Sequence, residues 1–150
     1  MRIAIASDHA ALALKSALVA HLEAGGHEVA DLGPFDETSV DYPDYGYKLA
    51  ASVAACDAEY GVALCGSGIG ISIAVNRNPA CRAALVSEPL SAKLAREHND
   101  ANVIAMGARL TGIAGASDVF RGSIVSYATG VKQTALGVPA GPVLSEDAAL

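Results

Sequence analysis

The chain has 150 residues, a formal net charge of −6 and 52% hydrophobic residues, with few aromatics and no Trp. That length suits one domain with a proper core. The acidic balance, with no basic run, argues against nucleic acid as a partner. The lack of an uncharged apolar stretch of about 18 residues argues against a membrane span.

Strands and helices alternate along the chain. Residues 3–6 read as a short apolar strand, and Ser7 and Asp8 arrive too early for a signal peptide. Asp8 and His9 form a turn, and residues 10–23 read as a helix with Leu14, Leu18 and Leu22 on one face. Gly25 and Gly26 stop it, and residues 27–32 form a candidate second strand. A loop then runs from Gly33 to about Pro43, before a helix with Tyr45, Leu49, Val53 and Cys56 on one face. Residues 61–65 are a buried strand that runs into a glycine-rich loop and a short helix, broken at Asn78-Pro79. Residues 82–86 are a fourth strand, Pro89 opens a helix over 89–97, and residues 102–106 are a fifth strand. From Thr111 the pattern turns rich in Gly, Ala and Ser, with a β-like run at 124–127 and a helical piece around 131–136.

This rhythm predicts an α/β fold of three αβα layers, with a Rossmann-like parallel five-stranded sheet and an atypical C-terminal segment. The 150 residues form one domain, with a core over 1–110 and a divergent tail over 111–150. Sites in such sheets form at the carboxyl ends of strands, where Asp8-His9, Cys65 to Gly70 and Ser87-Glu88 fall. His98 and Asn99 precede the fifth strand, so they reach such a site only from a partner subunit or by a long excursion. Three cysteines make an odd count without metal spacing. Cys56 and Cys81 read as small core hydrophobes, and a reducing cytosol fits.

The stretch Gly61-Val-Ala-Leu-Cys-Gly-Ser-Gly-Ile-Gly carries the chemistry. Glycines at 66, 68 and 70 leave backbone N–H groups free for an anion or a forming oxyanion, and the next helix aims its positive end there. A thiol in that position, Cys65, gains anionic character and serves as base or nucleophile. Each residue also has a plainer reading. Cys65 could be an inert core residue, Asp8 a helix cap, and His98 a helix-terminal histidine paired with the dipole. His21 and His27 read as surface residues, and Arg77 and Arg82 as structural ones.

Several blocks stand together in order over about 110 residues. They are Ser7-Asp8-His9-Ala10, Val40-Asp41-Tyr42-Pro43-Asp44-Tyr45, Cys65-Gly66-Ser67-Gly68-Ile69-Gly70-Ile71-Ser72, Asn76-Arg77, Ser87-Glu88-Pro89, and Arg96-Glu97-His98-Asn99 through to Gly107-Ala108-Arg109. This part of the chain resembles the type B ribose-5-phosphate isomerases, a family that includes the allose- and galactose-6-phosphate isomerases. The resemblance implies a cytoplasmic, metal-free and cofactor-free aldose–ketose isomerase working through an enediolate on a small sugar phosphate, and a homodimer or dimer of dimers. It implies Cys65 as the base, Ser67 with the backbone amides of Gly66, Gly68 and Gly70 as oxyanion donors, and His98 as the acid/base that opens the sugar ring. It sets Asp8 against the sugar hydroxyls, His9 and Arg109 against the phosphate, and Tyr42 and Asn99 along the pocket wall.

The resemblance breaks near residues 109–112. Relatives continue with two later arginines that hold the phosphate, whereas here the only arginine after Arg109 is Arg121 and the only lysine is Lys132. Residues 109–146 instead resemble an internal segment of the CinA-type nicotinamide-nucleotide amidases, with Tyr127 and Lys132 at polar positions of that family's site region. The chain looks like a fusion whose amidase part lacks the serine-bearing segment. Three functions follow: an isomerase of ribose 5-phosphate and ribulose 5-phosphate; a catalytically weak sugar-phosphate binder or structural protein; or an isomerase of a tetrose or hexose phosphate.

Overall fold

The computed structural model describes residues 1–113 and 115–119. One five-stranded sheet runs in the order β2-β1-β3-β5-β4, from β1 (Arg2–Ser7), β2 (Glu28–Asp31), β3 (Tyr60–Cys65), β4 (Ala83–Leu85) and β5 (Val103–Gly107). Every pairing is parallel. The helices are α1 (Leu12–Ala24), α2 (Tyr42–Ala54), α3 (Ile69–Val75) and α4 (Pro89–Asn99). A 3-10 turn over His9–Ala11 leads into α1.

The two faces of β1 set the layers. Ile3 and Ile5 belong to a core cluster with Leu14, Leu18 and Leu22 of α1 and Ala92 of α4. Ala4 and Ala6 belong to the opposite cluster, with Leu49 and Val53 of α2 and Ile71 and Val75 of α3. Leu14, Leu18 and Leu22 are spaced one helical turn apart and all are buried. Each such burial contributes about 2 kcal/mol.

The tail's first turns complete the first layer. Residues 113 and 115–119 are helical, and Ala116 and Val119, both 0% exposed, join the α1/α4 cluster. The β-like run at 124–127, the helical piece at 131–136, and Tyr127 and Lys132 lie outside the described residues. Among the described residues, no helix is long and apolar enough to cross a membrane.

Some expectations need correction. Helix α2 ends at Ala54, and Cys56 sits beyond it at φ 61, exposed rather than in the core. Its neighbour Asp57 donates its N–H to Ser52, which closes the helix in a turn that lifts Cys56 off the buried face. Cys81 is buried as expected. His27 is half-buried rather than on the surface. Desolvation holds its pKa below the ordinary histidine value, with smaller contributions from the N-terminal ammonium and His21.

Candidate active site

Strand order reverses between β1 and β3, which leaves a crevice at their carboxyl ends. Ser7 pairs with Leu64 in the register, and the Asp8 N–H donates to the Leu64 carbonyl at 3.1 Å. The next residues on the two strands, Asp8 and Cys65, therefore emerge side by side. A cavity of about 360 Å³ opens there, lined by Asp8, His9, Ala10, Tyr42, Cys65, Gly66, Ser67, Gly70, Arg109 and Leu110.

Each wall comes from a different loop. Asp8 is 8% exposed, and its carboxylate accepts from the Ala10 N–H at 3.0 Å. It is thus both the cap of the 3-10 turn and a wall of the cavity, so the two readings of Asp8 coexist. Cys65 is 4% exposed, and its Sγ accepts from the Gly68 N–H at 3.1 Å. Gly68 adopts φ +78, and a Cβ on it would stand 2.7 Å from both Leu85 Cδ1 and the Met106 carbonyl carbon. Only glycine fits that place without displacing β5.

The loop's amides divide into two groups. The Gly68 N–H goes to Cys65, and the Ile69 N–H goes to Ser67 Oγ at 3.3 Å. Among the described residues, the amides of Gly66, Ser67 and Gly70 find no protein acceptor. Those three, with the Ser67 hydroxyl, are the donors left for an oxyanion, so Gly68 serves the sulfur instead. The Arg109 N–H donates to the Gly66 carbonyl at 3.0 Å, and the guanidinium lies over Gly66, its Nε 3.4 Å from where a Cβ would sit. Among the described residues no carboxylate pairs with Arg109. The Tyr42 ring stands against Gly70, where a Cβ would come within 2.6 Å of the ring.

Two expected site residues and one expected segment lie elsewhere. His98 and Asn99 are exposed in the last turn of α4, at the amino end of β5. At about 3.3 Å per residue, that strand alone separates them from the cavity by about 16 Å. Within one chain His98 cannot meet Cys65, and the Asn99 carbonyl accepts from Arg82 Nε at 2.8 Å. Ser87 and Glu88 follow the edge strand β4 and do not line the cavity. Glu88 instead caps α4, accepting from the N–H groups of Leu90 and Ser91. Hydrogen bonding from Ser91, side chain first and then backbone, lowers its carboxyl below the ordinary value.

Sequence reading missed the support beneath His9. Lys15, which the sequence did not single out, is 1% exposed. Its helical spacing from Ala11, Leu18 and Leu22 places it on the buried face, but a lysine there carries no hydrophobic signal. A second cavity, about 480 Å³, is lined by Ser39, Val40, Asp41, Asp44, Tyr45 and Lys48. Among the described residues, no group of three His, Cys, Asp or Glu side chains stands close enough to hold a metal ion.

Comparison with known proteins bears on this site. The family model described as Ribose/Galactose Isomerase matches residues 3–126. The model of the CinA C-terminal domain matches residues 105–149, so the two share 105–126. The chain is 45% identical over 112 residues to ribose-5-phosphate isomerase B of Escherichia coli (strain K12), covering 75% of each. Among solved structures, it resembles ribose-5-phosphate isomerase B of Clostridium thermocellum with a TM-score of 0.82 at 42% identity, covering 83% of this chain and 84% of that one. It resembles ribose-5-phosphate isomerase B of Mycoplasma genitalium, solved with bound ribulose-5-phosphate, with a TM-score of 0.78 at 34% identity, covering 82% of each.

Proposed function

The chain belongs to the ribose/galactose isomerase family, and from that premise we propose that it interconverts ribose 5-phosphate and ribulose 5-phosphate through an enediolate. The observation that carries this reading is the cavity that gathers Asp8, His9, Tyr42, Cys65, Ser67 and Arg109 at the carboxyl ends of four adjacent strands. A thiolate and an oxyanion pocket side by side suit proton abstraction next to a carbonyl.

In this reading, the Cys65 sulfur takes the proton from C2 of the open-chain aldose, the C1–C2 double bond forms, and the electron pair of the carbonyl moves onto O1, giving the enediolate. The Ser67 hydroxyl and the amides of Gly66, Ser67 and Gly70 hold the developing negative charge, with Gly68 holding the sulfur. The O2 proton passes to O1, Cys65 returns its proton to C1 as the O2 charge closes to a carbonyl, and the ketose results with the sulfur restored. Asp8 orients the sugar hydroxyls, His9 and Arg109 take the phosphate, and Tyr42 walls the pocket.

Ring opening needs an acid/base near the other end of the sugar, and His98 of the same chain lies too far away. We assign that role to His98 of a second copy, with Asn99 beside it along the pocket, in a homodimer or a dimer of dimers working in the cytoplasm.

A ribose 5-phosphate isomerisation assay on the purified chain, with Cys65→Ala alongside, tests the reading. Turnover in the chain and a loss of at least about a hundredfold in the variant are expected. A folded chain that binds the sugar phosphate without turning it over would instead make it a binder, the outcome favoured by the paucity of cations after Arg109.

A further inference from the structure

Three consecutive carbonyls in the loop after β2 are each taken by a different layer of the fold. The Leu32 carbonyl accepts from Lys48 Nζ of α2 at 2.8 Å. The Gly33 carbonyl accepts from the Ser7 N–H of β1 at 3.0 Å. The Pro34 carbonyl accepts from Lys15 Nζ of α1 at 2.7 Å. Lys15 is the unusual member. Its ammonium is fully buried, donates also to Asp31 Oδ1 at 2.5 Å, and lies 4.8 Å from the centre of the Phe35 ring. Asp31 in turn accepts from the Gly33 N–H at 2.9 Å.

A lysine is almost never buried this completely without a partner, and desolvating an ammonium is costly even with one. An apolar side chain would fill the same volume more cheaply. The charge is spent on holding a backbone. The loop it holds runs out through exposed residues 35–39 and returns at Val40, whose N–H lies 3.1 Å from His9 Nδ1. From that N–H, Nδ1 accepts when the ring carries its proton on Nε2. The Val40 carbonyl lies at the same 3.1 Å and would be bonded only if Nδ1 carried the proton.

We infer that Lys15 is a positioning residue for substrate binding: through the loop from Leu32 to Val40 it sets the ring orientation with which His9 meets the phosphate. This rests on the role proposed for His9 above. Lys15 touches neither the cavity nor the reacting carbons. Its loss should therefore weaken binding of a remote group and spare the chemistry.

The test measures Lys15→Met, His9→Ala and the double variant by steady-state ribose 5-phosphate kinetics, and the His9 ring by 15N NMR. Expected are a KM raised about tenfold with kcat within about twofold of wild type, a shift of the His9 ring nitrogen resonances, and no further change in KM when Lys15→Met is added to His9→Ala. An unchanged KM with an unchanged His9 ring spectrum overturns the inference, and so do effects that multiply in the double variant. Should Lys15→Met fail to fold, the exposed Lys48→Met releases the neighbouring carbonyl of the same loop and is judged by the same two readouts, with a smaller rise in KM. Should the wild-type chain show no turnover, the proposed function fails, and the ring spectrum alone decides whether Lys15 sets His9.

Discussion

The backbone N–H of Gly68 points at the sulfur of Cys65 from 3.1 Å. That contact exists because Gly68 holds a left-handed conformation at the start of α3, pressed against the end of β5. Gly68→Ala adds backbone strain and a clash with Met106 and Gly107. It should cost about 3 kcal/mol of stability in a urea titration and turn the amide away from the sulfur. A variant that unfolds at the wild-type midpoint with full turnover would show that the loop is less constrained than its contacts indicate.

Gly70 gives the opposite balance. It lies inside α3, where alanine is the better helix former by about 1 kcal/mol. Its missing Cβ makes room for the Tyr42 ring, which is 41% exposed and free to swing outward. Gly70→Ala should therefore keep or raise the melting temperature while raising KM for ribose 5-phosphate several-fold. Adding Tyr42→Ala should not raise KM further, because the ring is already displaced. A fall in stability with unaltered kinetics would contradict this arrangement.

The remoteness of His98 from the cavity makes a complementation test possible. Cys65→Ala and His98→Ala should each be nearly inactive alone. An equal mixture, unfolded and refolded together, should recover about a quarter of wild-type activity, since half the dimers are mixed and each carries one intact site. A mixture that stays inactive removes the partner's histidine from the mechanism.

Glu88 caps α4 only as a carboxylate. Its folded pKa lies below the ordinary 4.5, so its contribution to stability is present above that value and is lost as pH falls through the lower folded value. Glu88→Ala should lower the melting temperature at pH 7, and the gap from wild type should close in strong acid. A gap that persists unchanged down to pH 2 would mean that the charge does not matter.

Cys81 behaves as a buried thiol. Desolvation pushes its pKa from 9.0 up to about 11. Between those values the unfolded chain releases a proton that the folded chain keeps, so stability should fall as pH rises from 9 to 11. Replacement by alanine should flatten that slope. Exposed Cys56 should react with iodoacetamide well before Cys81 in the folded protein. Equal labelling rates would refute the burial assigned to Cys81.

Much of this architecture was legible in the order of residues. Leu14, Leu18 and Leu22 recur at the helical period because one stripe of α1 meets the sheet, and the apolar run Val62-Ala63-Leu64 marks a strand buried on both faces. The loop after Cys65 announced itself through its glycines, since few other residues allow the positive φ at 68. Cys56 escaped because helical periodicity continues on paper past the point where the backbone turns. Lys15 escaped because hydrophobic patterning has no signal for a charge buried with its own partners.

Sequence by itself determined the alternation of elements, the family, and the set of loops that carry chemistry, because those depend on local periodicity and on short motifs that need only their neighbours. Which loops meet was decided in three dimensions. The Asp8 and Cys65 loops are more than fifty positions apart and became adjacent through the pairing of β1 with β3. His98 was kept away by the length of β5, and His9 was oriented by a lysine from α1 acting through a loop from another part of the chain. Such relationships arise from strand order and from the partners that buried charges must find, and neither is written in the spacing of residues along the chain.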